Sequence, residues 1–329
     1  MRPLKLIPDA TNIAFLRWRW WAMGISILLI VASLFLIATR GFNFGVDFVG
    51  GQMTRVSFVQ PPNLDQLRTR IDGLGFGEAS IQQFGSPNDV AIRLPLPDSD
   101  DPASANAAAS KVKAAIDAGY PGAKISSVDS VSGKVSEELL WTGTLSLVLA
   151  TIGISLYIWF RFEWQFGVGA LFALFHDVTL TLGFFALTQL QFDLNIVAAI
   201  LTIIGYSLND TIIVYDRIRE NLRKYRKMEI SALLDLSVNE TLSRTIVTSL
   251  SLILTLAVLV LMGPDVIFGF TVAMLLGIFI GTFSSIYIGA PMLIWLKVTS
   301  DSFLDKNAVK TSGNAERVSR RDENEGAQV

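Results

Sequence analysis

The apolar residues of the chain fall into six long stretches, with one polar block between the first and the second. A helix that crosses a lipid bilayer needs about 20 consecutive apolar residues, and the stretches have this length. The predicted spans are 21–38, 139–160, 166–187, 196–215, 246–262 and 268–296. Pro291 near the end of the last span lacks a backbone donor and predicts a kink. The pattern therefore predicts an α-helical membrane protein with six transmembrane helices.

The polar block 41–138 alternates between the two-residue period of strands and the 3.6-residue period of helices. Val56 and Phe58 share one face of a predicted strand, and Asn63 is a candidate cap for the helix that follows. The predicted elements are strand 53–59, helix 64–74, strands 79–84 and 90–94 across a turn at 86–88, helix 104–118 and strand 124–131. This order, βαββαβ, is typical of a ferredoxin-like α+β domain.

Composition and charge add an orientation to this pattern. Hydrophobic residues make up 51% of the chain and the mean hydropathy is +0.48, which fits repeated membrane crossing. Lys and Arg cluster before the first span, between residues 216 and 244, and after residue 296, whereas the loops 188–195 and 263–267 contain none. Basic residues favour the cytoplasmic side. Both termini are therefore predicted to be cytoplasmic, and the block 41–138 to be exported.

The predicted organisation has four parts. They are a cytoplasmic N-terminus with the first span (1–40), the exported domain (41–138), five further spans with a cytoplasmic amphipathic connection at 216–244 (139–297), and a cytoplasmic tail (298–329). The tail is polar and lacks periodicity, which predicts disorder. The length of the first span and the sequence at 36–38 favour a retained anchor over a cleaved signal peptide.

Asp210 lies inside the apolar run 196–215, where a charged side chain costs roughly 2.5 to 3.5 kcal/mol. Such a residue usually has a partner and often a function. Tyr206 precedes it by one helical turn and can donate to it, while Asn209 adds a polar group nearby. The alternative interpretation of Asp210 is a polar clamp between helices.

Arg244 is the expected counter-charge, because the two residues differ in depth by roughly 9 Å, a distance that an Arg side chain largely covers. Protonation of Asp210 would then leave Arg244 unpaired and favour another arrangement of the helices. The alternative for Arg244 is an interfacial residue that extends toward the lipid headgroups.

His176 and Asp177 form a second titratable pair in the third span. Adjacent residues of a helix point about 100° apart, so we expect that they do not share one partner. Asp177 either relays protons or forms a hydrogen bond with a neighbouring helix. His176 has a pKa suited to proton transfer, although a lone buried His is more often a structural hydrogen-bonding group.

Two further patterns concern packing. Small residues recur every four positions in the last span, at Gly277, Gly281, Ser285 and Gly289, and this predicts close approach of another helix. Beside this stripe, Thr282 and Ser284 are candidates to face a polar pathway, or else bond to their own backbone. Leucines mixed with basic residues over 222–242 predict an interfacial helix on the cytoplasmic face.

A glycine-bearing string follows the first span and contains Gly45, Asp47, Gly50 and Gly51. It lacks the strand-to-helix setting and the Lys of a phosphate-binding loop, so it predicts a tight packing turn at the membrane face. Asp47 is either a solvated turn residue or a docking residue.

Three strings closely resemble the bacterial SecF family of protein-export membrane subunits: GVDFVGG (45–51), GYSLNDTIIVYDRIREN (205–221) and SRTIVTS (243–249). The resemblance implies that Asp210 and Arg244 are the family's charged pair for proton coupling. It also assigns Gly45, Asp47, Gly50 and Gly51 to the characteristic motif at the base of the exported domain.

The resemblance implies an accessory subunit of the Sec translocase, of the resistance-nodulation-division type, in the cytoplasmic (inner) membrane. Its expected partners are SecD, the SecYEG channel, YajC, YidC, unfolded preproteins and membrane lipid, with no nucleic acid. The expected energy source is the proton-motive force, used in late steps of translocation after the ATPase SecA has acted. No cofactor, metal or enzymatic activity is expected.

Two other functions stay open at this point. A proton-driven exporter of lipids or small molecules would have a second exported domain and a second set of helices in one chain, and this chain has half of that. A passive scaffold would use Asp210 only as a clamp. A polar substitution that preserves the shape of Asp210 separates a clamp, which tolerates it, from proton coupling, which does not.

Overall fold

The structure, a computed structural model, describes residues 11–84, 86–95 and 102–299. Helix α1 (Arg19–Arg40) follows a short 3₁₀ turn and forms the first apolar span. The chain then makes one helical turn, α2 (Val46–Val49), and enters a small α+β domain directly through Gly50. The glycine motif is thus the connection between the membrane helices and this domain.

The α+β domain has the predicted order of elements. They are β1 (Gly51–Ser57), α3 (Leu64–Asp72), β2 (Ser80–Phe84), β3 (Ser86–Leu94), α4 (Pro102–Gly119) and β4 (Lys124–Val131). The four strands form an antiparallel sheet in the order β2-β3-β1-β4, with a register shift between Arg55 and Val56 where β1 meets β4. This is the strand order of a ferredoxin-like sandwich, so the predicted fold class is confirmed.

One face of the sheet and the two helices enclose the core of the α+β domain. Val56 and Ile92 alternate with outward-facing neighbours along their strands and pack with Ile71 of α3 and Val112 of α4. Asn63 caps α3, since its side chain accepts hydrogen bonds from the backbone N–H groups of Asp65 (3.0 Å) and Gln66 (3.2 Å). The cap predicted from the sequence is therefore present.

Five more helical spans follow the domain. They are α5 (Gly133–Arg161), α6 (Trp164–Thr188), α7 (Leu194–Lys224), α8 (Ile230–Met262) and a last span that consists of α9 (Phe268–Ser284), a π-helical segment (Ser285–Gly289) and α10 (Ala290–Trp295). With α1, the described residues hold six helices that are long and apolar enough to cross a membrane. The six predicted spans are confirmed, and the break in the last one is a π-helical turn that precedes Pro291.

Two local predictions need correction. The interfacial helix expected over 222–242 is a helical hairpin, because α7 continues to Lys224 and α8 starts at Ile230. Its leucines face the partner helix rather than lipid: Leu222 and Leu234 are buried in one cluster, and Asn221 Nδ2 donates to Glu240 Oε2 at 2.6 Å. The turn expected at 86–88 belongs to strand β3, which pairs with β2 from Ser86 onward. The predicted disordered tail lies outside the described residues from residue 300 on.

Three spans form the inner layer of the bundle. In the most apolar part of α6, α7 and the last span 56% of the residues are buried, compared with 22% in α1, 17% in α8 and 6% in α5. The outer faces of α5 and α8 are therefore available to lipid or to another chain.

The small residues of α9 lie against α7. A Cβ atom at Gly277 would overlap the side chain of Ile203, and one at Gly281 would come within 3.1 Å of Ser207 Cβ. Further along, the hydroxyl of buried Tyr215 donates to the carbonyl oxygen of Gly289 at 3.0 Å. Side chains larger than hydrogen at these positions would separate α9 from α7.

We expect Gly277→Ala to destabilise the protein by about 1 to 3 kcal/mol, because the added methyl group has to displace the buried Ile203. The measurement is thermal unfolding of the purified chain in mild detergent, followed by tryptophan fluorescence. Gly24→Ala in α1 is the matched control, since nothing lies within 4 Å of a Cβ at that position. Equal melting temperatures for the two variants would contradict this packing.

Candidate functional site

Asp210 lies in the middle of α7 and is 5% exposed. Its Oδ1 accepts a hydrogen bond from Thr245 Oγ1 of α8 at 2.6 Å, and its Oδ2 accepts one from Ser285 Oγ of the π-helical segment at 2.6 Å. The carboxyl group thus joins three spans through two short hydrogen bonds. Both donors are neutral hydroxyl groups.

Asp177 is a second carboxyl group, fully buried on α6. Its Oδ2 accepts from the hydroxyl groups of Ser207 of α7 and Ser284 of α9, the latter at 2.8 Å. Its Oδ1 lies 2.8 Å from Nδ1 of His176, which is therefore assigned the ring proton that points at the carboxylate. Asp177 consequently ties α6 to both α7 and α9.

His176 and Asp177, which were expected not to share one partner, bond to each other. Their positions diverge around the helix, but two adjacent side chains can still turn toward one another. The other ring nitrogen of His176, Nε2, is buried and has no hydrogen-bond partner among the described residues, and the ring stacks on Phe283.

The two carboxyl groups belong to one network. Ser284 and Ser285 are consecutive residues, and each serves a different Asp. On α7, Ser207 and Asp210 are one turn apart on the same face. The change from α-helix to π-helix falls at Ser285, and π-helical turns are frequent at functional sites.

Tyr206 does not donate to Asp210 as the sequence suggested. Its hydroxyl group lies 2.8 Å from Ser249 Oγ of α8, which in turn lies 2.8 Å from Thr282 Oγ1 of α9. A chain of three hydroxyl groups therefore runs beside the carboxyl network. The phenol of Tyr206 therefore has Ser249, and not the carboxylate, as its hydrogen-bond partner.

A cleft of about 430 Å³ between α7 and α8 reaches Asp210. Its lining includes the exposed Asn209, and polar groups share the walls with aliphatic ones. The lining residues are Tyr206, Asn209, Asp210, Ile213, Val247, Thr248, Ser251 and Leu252. Asp210 is therefore open to the side of the bundle, whereas Asp177 is enclosed.

Arg244 does not contact Asp210, and in the described part of the chain no ion pair involves Asp210. Thr245 bonds to Asp210 instead. Consecutive residues of a helix point about 100° apart, so Arg244, the residue before Thr245, is turned away and is exposed. One turn further, Thr248 lines the cleft and its hydroxyl donates to the carbonyl oxygen of Arg244 at 2.9 Å. Arg244 thus lies on the helix face that leads into the cleft.

The glycine motif packs against the connection between α6 and α7. A Cβ atom at Gly45 would lie 2.7 Å from Gln191 Nε2, and one at Gly51 would lie 2.5 Å from the carbonyl oxygen of Leu94. Gly50 (φ +73°) and Gly51 (φ +108°) also adopt backbone conformations that side chains disfavour. The string is a packing turn between the sheet and the membrane helices.

Two carboxylates lie at the first turn of α7. Asp193 caps the helix by accepting from the backbone N–H of Ile196 at 3.2 Å, and Asp47 Oδ2 accepts from the N–H of Leu194 at 3.0 Å. Burial raises the pKa of the Asp193 carboxyl group, and the nearby charge of Asp47 raises it further. Asp47, which is half-exposed, thus contacts the start of α7.

Comparison with known proteins fits this architecture. Residues 111–299 match the family model of the protein export membrane protein SecD/SecF, C-terminal, and residues 35–62 match the SecD/SecF GG motif. Protein translocase subunit SecF of Rhodobacter capsulatus is 43% identical over 93% of this chain and 97% of its own length. The chain belongs to the SecF family. The SecF of Vibrio alginolyticus is 41% identical over 93% of this chain and 96% of its own.

A solved structure shows the same fold. SecDF, described as a translocon-associated membrane protein from Thermus, matches with a TM-score of 0.79 and 32% identity over 90% of this chain. The match covers 40% of the SecDF chain, so this SecF-family chain spans less than half of that protein. Family membership and the six apolar helices make the chain a multi-pass inner-membrane protein with a role in protein export.

Several residues of the site could not be singled out from the sequence. Thr245 and Ser285 hold Asp210, yet Ser285 was assigned only to the packing stripe. Thr245 and Ser249 are one turn apart on α8, and two polar residues at this spacing in an apolar helix were the one sequence feature that could have indicated a polar contact there. Thr282 and Ser284, predicted either to face a polar pathway or to bond to their own backbone, do both: each contacts a side chain of another helix and donates to a carbonyl oxygen of α9.

We expect Asp177→Asn to lower the stability of the SecF-family chain by roughly 2 to 5 kcal/mol, because an amide cannot accept from all three buried donors. Thermal unfolding in detergent measures the effect. Asp117→Asn, at an exposed position on α4, is the control and should change stability by less than about 1 kcal/mol. An Asp177→Asn protein as stable as this control would show that the three contacts contribute little.

Proposed function

We propose that this SecF-family subunit couples the proton-motive force to late steps of preprotein translocation and release across the cytoplasmic membrane. The observation that carries the proposal is the bonding of Asp210, a buried carboxyl group held by two neutral hydroxyl groups at the end of a cleft. Such a group can gain or lose a proton without breaking a fixed ion pair. The proton is the only chemical input that this mechanism needs, and no cofactor or covalent step is involved.

Proton binding at Asp210 changes what its neighbours can do. An ionised carboxylate accepts from both Thr245 and Ser285, whereas a protonated one has to donate through one of its oxygens. At least one hydroxyl group must then turn to act as acceptor. Because the two hydroxyl groups belong to α8 and to the last span, the change acts on contacts between helices.

Arg244 provides the counter-charge in the other state of the cycle. It lies on the face of α8 that leads into the cleft, one turn before Thr248. We propose that rotation of α8 or extension of the side chain brings the guanidinium group to the ionised Asp210, and that protonation releases it. Asn209 and Tyr206 line the route.

The energy available is sufficient for such a switch. One elementary charge that crosses 100 mV releases about 2.3 kcal/mol, which changes the ratio of two conformations roughly fiftyfold. Two competing hydrogen-bond arrangements of a buried carboxyl group differ by amounts of this order.

The outer faces of the bundle support a second membrane chain as partner. α5 and α8 are largely exposed, and α8 presents Ser251 and Thr248 beside the cleft to what would otherwise be lipid. SecD is the proposed occupant, because the matching SecDF chain extends well beyond the part that this chain covers. We further propose both termini on the cytoplasmic side, function with the SecYEG channel on unfolded preproteins, and contacts with YajC, YidC and membrane lipid.

A structural clamp is the competing role, and the hydrogen bonds of Asp210 to two neighbouring spans favour it as well. A clamp would need only polar atoms at this place. An Asn side chain provides one acceptor and one donor, and the hydroxyl groups of Thr245 and Ser285 can serve either.

We therefore expect Asp210→Asn to accumulate and assemble normally but to abolish the stimulation of export by a proton gradient. The assay is translocation of a preprotein into inverted membrane vesicles with and without an imposed gradient. Glu220→Gln, an exposed position on the same helix, is the control and should retain full stimulation. Full stimulation in the Asp210→Asn vesicles would leave only the clamp.

Arg244 gives an independent test of the counter-charge. Arg244→Gln should lose most of the gradient-dependent stimulation, and Arg244→Lys should retain part of it because a flexible ammonium group keeps the charge without the guanidinium geometry. Melting temperatures should stay close to that of the unchanged chain, since the Arg244 side chain is exposed. Unimpaired stimulation by Arg244→Gln would exclude the residue from the cycle.

A further inference from the structure

The segment that leaves α1 is bound tightly to the connection between α6 and α7. Two backbone hydrogen bonds join them, from Phe192 N–H to the carbonyl oxygen of Asn43 (2.8 Å) and from Gly45 N–H to that of Phe192 (2.9 Å). Phe44 and Phe192 form a parallel bridge between the two segments. The base of the α+β domain is thus paired with the residues that begin α7.

Aromatic packing fixes this junction laterally. Phe192 contacts the rings of Phe42 (4.9 Å between centroids), Phe48 and Phe185. The Phe48 and Phe192 side chains are buried in the same cluster as Ile196, in the first turn of α7. Since Gly45 has no room for a side chain against Gln191, the two segments cannot slide past one another without losing these contacts.

Asp47 is the one charged group of this segment that reaches α7 itself. Its carboxylate accepts from the N–H of Leu194, a group that has no acceptor inside the helix. Asp193, the neighbouring cap, serves Ile196. One of the two caps of α7 therefore comes from a residue 147 positions away in the sequence, and a carboxylate also suits the positive end of the helix dipole.

The same segment continues without a linker into the sheet. Asp47 lies in α2, and only Gly50 separates α2 from β1, an inner strand of the sheet. The open face of the sheet adds contacts to the connection, such as Arg55 Nη2 to Gln191 Oε1 at 3.4 Å. A displacement of the start of α7 would therefore reach the α+β domain through Asp47 and β1.

We propose that Asp47 is a positioning residue that ties the α+β domain to the first turn of α7, so that movement of this helix at Asp210 is passed to the domain. This inference rests on the proposed function of Asp210. Leu194, which Asp47 contacts, and Asp210 lie on one uninterrupted helix, and the rise over the 16 steps between them is about 24 Å. A continuous helix transmits a shift or a rotation over that length with little loss.

The chain is suited to a direct test because it contains no cysteine. Spin labels at Lys113→Cys on α4 and Met262→Cys at the end of α8, both exposed positions, report the distance between the domain and the bundle. The full chain is measured in lipid nanodiscs by pulsed electron resonance, with amide exchange of α7 recorded alongside. We expect Asp47→Ala to broaden the distance distribution and to speed exchange at Leu194 by about tenfold, the effect of losing one hydrogen bond.

Asn63→Ala is the matched control, because it removes a helix cap that lies wholly inside the α+β domain. It should leave both the distance distribution and the exchange of α7 unchanged. Asp47→Asn keeps an acceptor oxygen and should lie between the unchanged chain and Asp47→Ala; it also carries the comparison if Asp47→Ala fails to accumulate. Unaltered distances and exchange in the Asp47 variants, or the same change in Asn63→Ala, would overturn the proposal.

Translocation assays distinguish this inference from the function on which it rests. If Asp210→Asn loses gradient-dependent stimulation and Asp47→Ala loses it too, with Asn63→Ala unaffected, both stand. If Asp210→Asn loses stimulation while Asp47→Ala retains it, the link through Asp47 fails and proton coupling stands. If Asp210→Asn retains stimulation, proton coupling fails, and the distance measurement still decides whether Asp47 holds the domain.

Discussion

Lipid offers no hydrogen-bond partner, so the two buried carboxyl groups of the bundle find theirs mainly on other helices, and this requirement organises the structure. Asp177 and Asp210 meet it with four hydroxyl groups from α7, α8 and the last span. The donors are short side chains, so the helices must approach closely. The glycines that allow α9 to lie against α7 are the other half of the same solution.

The two carboxyl groups meet the requirement differently. Asp177 has three donors, including a histidine, and is enclosed by helices on all sides. Asp210 has two donors and lies at the end of an open cleft. The first arrangement suits a fixed joint and the second an exchangeable proton. The proposed coupling needs both kinds of contact, because it requires a bundle that moves and yet stays assembled.

The period of the apolar residues predicts the helices and strands, because apolar residues recur on the buried face of each element. It located the six spans, the order βαββαβ and the cap at Asn63. It did not predict which side chain meets Asp210, because the rotation of one helix against another leaves no trace in a single sequence. A difference of one residue on α8 separates Thr245, which bonds to Asp210, from Arg244, which does not. The interfacial helix predicted over 222–242 is wrong for the same reason. In a sequence, leucines that face a partner helix look the same as leucines that face lipid.

Adjacent serines in the last span have a consequence for how this helix tolerates change in length. Ser284 and Ser285 serve acceptors on different neighbouring helices, and their orientations are fixed by their order in the chain. Adding or deleting a single residue upstream, between Phe268 and Ser284, would turn both hydroxyl groups by about 100° and take one donor from each of the two buried acids. A substitution in that stretch alters one contact, whereas an insertion shifts the register of the helix and changes both serine contacts together. Peptide tags and other insertions for this protein therefore belong in the loop at 263–267, and not within the helix that follows.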